Sequence, residues 1–555
     1  MMRRAALLAG LLGAFVQPAL AAGDTALLKT QEGTAALLRG KYDQAVEAFD
    51  QALKTPDLPA ARLAGIHSDR GVALWRLGRH EEALKDFNRS IELSNGSAAT
   101  YNNRANVFID LGRYDQAIAD LDKAISLAPA YGAAYNNRGN ANFQLGRHQA
   151  AVTDYKHAIE LMPTNAVPYN GGAQAQGLLG QPYAGLRYIT RAISLNGKYT
   201  AAYRNRAHIL EHLERGDDAL ADYERLIALA PEDPALYAGR GQVHLKQKKY
   251  AAALKDFSRA IELDPQNAQA YVGRGAAQIE RENLKEALLD LDQAILLDTK
   301  LPDAYYRRAQ VYVRLADSDR ASADLARALE LAPSYAEAFK LRGEMAEAKA
   351  ETDPAIADYR KALELDPFIA GVAEKLKKLT GAEEPVSKPL GEPTKGWAII
   401  SPSKGRFVAT NALYPQLKVL LEMHGEGQPE ILDWTPLADA LKGLGLLSYA
   451  AGKLPGANSG RYEFVAILDL RKNIVVSIEP HVAGEVRAKW EWSPTGVVVT
   501  DAEGVISAHE FREAPKPKPE VKQVRERPWY DDREYSGGGG GGGGRQRGLF
   551  DWIFR

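Results

Sequence analysis

The chain contains no cysteine. That removes disulfides, thiolate metal sites and cysteine nucleophiles together, and leaves the compartment open, since an exported protein can do without disulfides. It also carries almost no net charge. Seventy Lys and Arg against 71 Asp and Glu give −1 at neutral pH, so the balance argues neither for nucleic acid nor for an acidic substrate. Beyond the first 22 residues no stretch is apolar enough to span a bilayer. What remains is the composition of a soluble folded protein, 45% hydrophobic and 25% charged, and 555 residues exceed one ordinary core.

Residues 1–22 read as a secretory leader. Arg3 and Arg4 precede an apolar run from Ala5 to Val16, and Ala19-Leu20-Ala21 forms a small-residue cleavage site. The run is short of the roughly 20 residues of a membrane span, and no cysteine follows it to make a lipoprotein. The mature chain is expected in an exported compartment, the alternative being that the segment stays uncleaved as an anchor.

Two adjacent 34-residue segments then organise everything else. Ala98–Tyr131 (AATYNNRANVFIDLGRYDQAIADLDKAISLAPAY) and Gly132–Asn165 (GAAYNNRGNANFQLGRHQAAVTDYKHAIELMPTN) align without a gap. Tyr101 and Tyr135 open them, Ala105 and Gly139 follow, Leu111-Gly112 and Leu145-Gly146 mark a turn, and Pro129 and Pro163 close them. Small residues at the eighth and twentieth positions let two antiparallel helices approach, and glycine near the fifteenth accepts the left-handed helix end.

This pattern resembles the tetratricopeptide repeat (TPR) family. The first unit covers 26–59, a four-residue insertion follows at Pro59 to Arg62, and nine units run in register from 64 to 369, ending in a capping helix at 370–381. The resemblance implies an all-α solenoid, a right-handed superhelix of helix pairs. Eight units carry Arg at position 7 and Asp at position 23, from Arg70/Asp86 to Arg342/Asp358. The two units without one lack both, having Glu32/Ala48 and Gly172/Tyr188. We read an ion pair inside each unit, against simple inheritance from one duplicated ancestor. The fifth unit (166–199), with Gly171, Gly172, Gly177, Gly180 and Gly185, is the candidate soft joint.

Past Gly381 the composition changes. Residues 382–395 read as a Pro/Glu/Lys linker, and 396–512 as a small β-rich α+β domain of no recognised family. Short strands are expected at 397–400, 407–410, 418–422, 464–470, 474–478, 486–492, 497–500 and 505–509, with one helix near 436–444. Residues 513–555 read as a disordered tail. Pro515, Pro517 and Pro519 make a spacer, and Gly537 to Gly544 a tether of roughly 16 Å r.m.s. span. The apolar tip is Leu549, Phe550, Trp552, Ile553 and Phe554, a candidate for docking on the protein itself, on a partner or weakly on a membrane.

No constellation in the sequence amounts to an active site. Ser401-Pro402-Ser403-Lys404 fits an S-x-x-K pattern, but the companion motifs S-D-N and K-T-G are absent and it reads as loop. Glu479, His481 and His509 lack metal-ligand spacing. His80-Glu81 has no second histidine, the glycine tract lacks the Lys-Ser/Thr of a phosphate loop, and no Gly-x-Ser-x-Gly occurs. Neither metal nor cofactor is expected.

The candidate binding surface lies on the first helix of each unit. Positions 2, 5, 6, 9, 12 and 13 share one face, opposite the packing residues. They carry Asn102, Asn103 and Asn106, then Asn136, Asn137 and Asn140, then Asn170 and Asn205. An amide donates and accepts, so it can pair with both groups of a peptide backbone. The pattern is similar to the asparagine ladder of the TPR superhelix of O-linked N-acetylglucosamine transferases, whose catalytic half is absent here. The bland alternative is solvated surface copied by duplication. Later units place Val272, Ala276, Ile279, Tyr306 and Val313 on the stripe, an apolar zone. The chain therefore reads as a non-enzymatic scaffold for protein or peptide clients, not nucleic acid, in the periplasm of a Gram-negative bacterium. The competing reading is an enzyme or polymer-binding protein acting through 396–512, its repeats recruiting the target.

Overall fold

The computed structural model describes residues 22–366, 369–381 and, with short breaks, 393–510. The leader, most of the linker and the tail lie outside the described residues. So do the side chains of Lys404, His481 and His509.

Each unit is a helix pair. The first three are α1/α2 (Ala22–Leu38, Tyr42–Leu53), α3/α4 (Ala60–Arg76, His80–Ser94) and α5/α6 (Ala98–Asp110, Tyr114–Leu127). Then come α7/α8 (Gly132–Gln144, His148–Leu161), α9/α10 (Ala166–Leu178, Pro182–Leu195) and α11/α12 (Thr200–His212, Gly216–Leu229). The last four are α13/α14 (Pro234–Lys246, Tyr250–Leu263), α15/α16 (Ala268–Ile279, Leu284–Leu297), α17/α18 (Pro302–Arg314, Ser318–Leu331) and α19/α20 (Ala336–Ala348, Thr352–Leu365). The cap α21 (Val372–Thr380) buries Val372 and Leu376 against the last pair. The insertion at 59–62 is not a loop. Pro59 is the N-cap and Ala60 starts the helix, so the extra residues add a turn to α3. No described helix is long and apolar enough to cross a membrane.

The chain divides into two compact units after Ala175, inside the fifth repeat. In both, a small residue at position 8 faces the side chain at position 24, and most units trade volume between the two, Ala207/Tyr223 and Gly275/Leu291 being the exceptions. Gly139 faces Tyr155 and Gly241 faces Phe257, and a Cβ on either glycine would come within 3.0–3.1 Å of the ring. Where position 8 is Ala105 or Ala309, position 24 shrinks to Leu121 or Leu325. The Tyr155 and Phe257 rings also press on the following unit, at Gly171 and Gly273, where a Cβ would lie 2.4–2.5 Å from the ring.

All eight Arg–Asp pairs form. Arg240 donates through Nε and Nη2 to Asp256 at 2.9 and 2.7 Å, Arg274 to Asp290 at 2.8 and 2.7 Å, and the other six likewise. In five units the third donor, Nη1, reaches back to position 25 of the preceding second helix: Asp50, Asn88, Asp122, Ser258 or Asp292. Each of Arg104, Arg138, Arg206, Arg240, Arg274, Arg308 and Arg342 also lies over the position-4 ring, 5.2–5.8 Å from its centroid. Arg342, opposite Ala326, lacks the backward bond, and its side chain is 45% exposed where that of Arg308 is 20%. The aspartates are buried. At Asp86 burial would raise the carboxyl pKa, but the bonds from Arg70 and His67 outweigh it and hold the group below its ordinary value.

Glycine at position 15 proves dispensable. Gly112, Gly146 and Gly180 take φ of +69 to +73°, and Glu214, Lys248, Glu282, Ala316 and Ala350 adopt φ of +58 to +61° at the same place. The interhelical turn keeps its shape whatever residue stands there, because the backbone bond from position 16 back to position 11, such as Asp317 N–H to Tyr312 O at 2.9 Å, recurs in these units.

Among its described residues the C-terminal domain contains three antiparallel sheets. The first is β1 (Trp397–Ser403), β2 (Arg406–Asn411) and β3 (Lys418–Leu421). The second runs in the order β4 (Glu430–Pro436), β5 (Leu444–Lys453), β6 (Arg461–Asp469), β7 (Ile474–Ala483), β8 (Val486–Arg487). The third is β9 (Lys489–Ser493), β10 (Gly496–Asp501) and β11 (Gly504–Glu510), and its Val497 and Val499 pack on Ile467 of the second. Strands β4 and β5 escaped the sequence reading. Of the helix expected at 436–444, the two ends belong to paired strands instead, since Pro436 pairs with Gly445 and Leu437 N–H bonds Leu444 O at 2.9 Å, and 438–443 lie outside the described residues.

Two outcomes are expected. Since Asp256 is buried, the Arg240→Ala/Asp256→Ala cycle should show coupling of about 1–3 kcal/mol in urea unfolding, above the 1 kcal/mol ceiling of an exposed pair; additivity would leave duplication as the explanation. Ala316→Gly should raise the urea midpoint, because relief of roughly 1–2 kcal/mol of left-handed strain exceeds roughly 0.5–1 kcal/mol of added chain entropy.

Candidate functional site

On the first-helix stripe the structure brings some of the asparagines together and buries others. Asn136 Nδ2 donates to Asn137 Oδ1 at 3.2 Å, and Asn137 Nδ2 donates to Asn102 Oδ1 at 2.9 Å, joining α7 to α5. Asn136 Oδ1 is buried without a hydrogen-bond partner. Asn102 is itself buried, whereas Asn103, Asn106, Asn137 and Asn140 are half-buried. Asn170 and Asn205 are buried, and each already has an interaction within the protein. Asn103, Asn106 and Asn140 are the half-buried asparagines of these two helices outside the hydrogen-bonded set Asn102, Asn136 and Asn137. Packing accounts for part of what looked like a pure binding ladder.

The apolar zone needs a larger correction. Val272, Ala276, Ile279 and Tyr306 are buried, and only Val313, 36% exposed, is open. Val272 packs with Ala294 and Ala304, Ile279 with Ala287, Leu291 and Val311, and Tyr306 meets the Tyr335 ring at a tilt, 4.9 Å between centroids. These positions hold neighbouring first helices together, so their apolar character comes from the core rather than from an open client surface.

The fifth repeat is covered rather than bare. Its second helix, α10, carries the C-terminal domain on its N-terminus. Glu422, fully buried just past β3, accepts hydrogen bonds at Oε1 from Tyr183 N–H and, at 3.2 Å, from Ala184 N–H. These amides belong to the first turn of α10 and have no acceptor within the helix, and the carboxylate also complements the positive end of the helix dipole. Gln181 Nε2 donates to Met423 O at 2.7 Å, Arg187 to Ile478 O, and Arg215 to Val476 O at 2.7 Å. Arg187 lies 3.7 Å from buried Glu479, which also accepts from Ser477 Oγ. Glu422 N–H in turn donates to Tyr449 Oη at 3.1 Å. Burial pushes the Tyr183 phenol pKa well up.

None of these docking residues was singled out from the sequence, except Glu479, which the structure uses for docking. A signal was present. Helix α10 opens Pro-Tyr-Ala-Gly-Leu with no charged side chain in its first turn, a feature shared with Tyr-Ala-Ala-Ala-Leu of α14, but its unit also lacks the Arg–Asp pair that the α14 unit keeps. Residues Gln181 to Gly185 are all buried.

Tetratricopeptide-repeat family models match residues 62–130 and 96–164, 214–278 and 306–368. The helical array is a tetratricopeptide-repeat array. A TPR protein from Parabacteroides merdae is similar at 23% identity, covering 51% of this chain and 99% of its own, with a TM-score of 0.35. YrrB, described as a TPR protein with an unusual peptide-binding site, matches at 23% identity over 33% of this chain and 95% of its own, TM-score 0.28. The Cut9–Hcn1 structure matches at 13% identity over 64% and 96%, TM-score 0.36. No curated protein matched.

The docking geometry has a direct readout. Glu422→Ala should speed hydrogen exchange at the Tyr183 and Ala184 amides by roughly 5–30-fold, the equivalent of about 1–2 kcal/mol for a lost helix cap. Unchanged exchange would mean that the carboxylate does not hold the domain in place.

Proposed function

We propose that this protein is an exported, non-enzymatic scaffold that holds extended segments of client proteins on the first-helix stripe of its TPR array. Its setting is the periplasm, and its work envelope assembly or adaptor duty. The carrying observation is the amide network of Asn136, Asn137 and Asn102, which fixes amides on the same two helices, α5 and α7, that carry the half-buried Asn103, Asn106 and Asn140. Fixed amides lose little entropy on binding and offer donors and acceptors at helix-to-helix spacing, which suits backbone rather than side-chain reading. The charged leader start, the apolar run and the Ala19-Leu20-Ala21 site support export. The C-terminal domain's buried carboxylates Glu422 and Glu479 sit in the contact with α10, which favours a docking role for that domain over the competing reading of an activity at 396–512.

Each amide bond exchanges with water, so three lost together should cost about 1.5–4.5 kcal/mol, at about 0.5–1.5 each. A photo-crosslinking residue at 140 in cells should capture discrete client proteins. The same residue at exposed Gln116 on the second helix α6 should not. Asn103→Ala/Asn106→Ala, with helicity retained, should reduce capture at 140 severalfold. Equal capture at 116, or capture indifferent to those substitutions, would retire the backbone-clamp mechanism.

A further inference from the structure

The C-terminal domain displays an apolar patch that its own fold does not cover. Leu413 is 81% exposed, the highest value among the exposed large hydrophobic residues described. It is held outward. Asn411 Oδ1 accepts from Leu413 N–H at 2.8 Å, Tyr414 N–H bonds Asn411 O at 3.1 Å, and Leu417 N–H bonds Tyr414 O at 3.0 Å, so the turn is fastened on both sides of the leucine. Tyr414 meets Trp434 edge-on at 6.1 Å, and Trp434 in turn packs on buried Trp397 at 5.2 Å. A Cβ at Gly445 would come 2.1 Å from the Trp434 ring, so the indole lies directly on that backbone. Tyr414 and Trp434 are half-buried and in ring contact, and exposed Leu413 adjoins Tyr414 in the chain; these three residues are here termed the aromatic shelf. Trp434 stands on β4, the edge strand of the five-stranded sheet, with Glu430 and Asp433 on the same strand.

We infer that this shelf is the docking site of the chain's own C-terminal tip, Leu549, Phe550, Trp552, Ile553 and Phe554. Three arguments favour that occupant. The first is complementarity of type. The tip supplies three aromatic rings and two aliphatic side chains, which pair with an aromatic shelf better than with isolated leucines such as Leu289 and Leu296 on α16. The second is charge. Arg545, Arg547 and Arg555 flank the tip, with Asp551 as its one acid, and β4 presents Glu430 and Asp433, the latter shared with Lys395. The third is reach. β11 ends at Glu510, and random-coil scaling of the segment from there to Leu549 gives roughly 30–35 Å, enough to span a small domain and to place the tip at a millimolar effective concentration. At that concentration weak apolar contact suffices. A second copy of the chain or a membrane would have to compete with a segment already tethered beside the shelf.

The test uses the full chain with benzoylphenylalanine replacing Leu413, and a second variant carrying it in place of Leu289. Irradiation at 413 should yield a cross-linked peptide containing residues 548–555, at a yield independent of protein concentration over about a tenfold range. Trp552→Ala/Phe554→Ala should cut that yield about tenfold or more. Equal yield from position 289 would overturn the assignment, as would yield rising with concentration, which marks a second copy. Absence of the tip peptide at 413 would also overturn it. Tip-dependent co-sedimentation with phosphatidylglycerol vesicles would then give the tip a membrane as its occupant.

Discussion

The array depends on one side chain used eight times. A guanidinium has donors fixed in a rigid plane, and here the plane works in three directions: two donors on the aspartate of its own second helix, one on the preceding second helix in five units, and in seven units a face on an aromatic ring. Lysine could not replace it, since a point charge cannot hold two carboxylates at a fixed angle. Because Arg308 ties Asp324 to Asp292, it sets the angle between repeats as well as the closure within one. The partner aspartates are buried, so removing an arginine strands a carboxylate away from water. Packing of ring against glycine then fills the volume that the ion pairs have framed.

The repeat was legible because its constraints are local and recur every 34 residues. Arg and Asp sixteen residues apart vanish together in the first and fifth units, and that joint absence is visible without coordinates. The groove was only half legible. Helical periodicity places Asn102 and Val272 on the same face, but it cannot tell an open face from one covered by the next first helix. Burial of Val272, Ile279 and Tyr306 comes from that neighbour. The C-terminal strands were read where β-branched runs are dense, as in β6, β7 and β10. They were missed at β4 and β5, where Trp434 and Pro436 on one strand and two glycines on the other break the alternation.

The fifth unit shows how an exception in a repeat can be informative. Its glycines and missing ion pair first suggested weakness. In the folded protein the start of its second helix exchanges solvent for another domain, and the acceptor that its first-turn amides lack is supplied by Glu422. A surface meant to be covered has no use for the charges that keep its siblings soluble.

That arrangement has a consequence for the time course of folding. Hydrogen bonds of the Arg–Asp set join residues 16 apart, so each repeat can close as soon as it is made. The bonds between α10 or α12 and the C-terminal domain span 238 to 291 residues. At typical elongation rates of about 5–20 residues per second, the α10 surface exists for roughly 12–50 seconds before its cover has been synthesised. During that interval Pro182, Tyr183 and Ala184 form an uncovered apolar patch, behind the later repeats while these are made and in the middle of the array once they are complete. The nascent chain is therefore stickiest at its centre rather than at its growing end, and a chaperone attending its synthesis would find its substrate there.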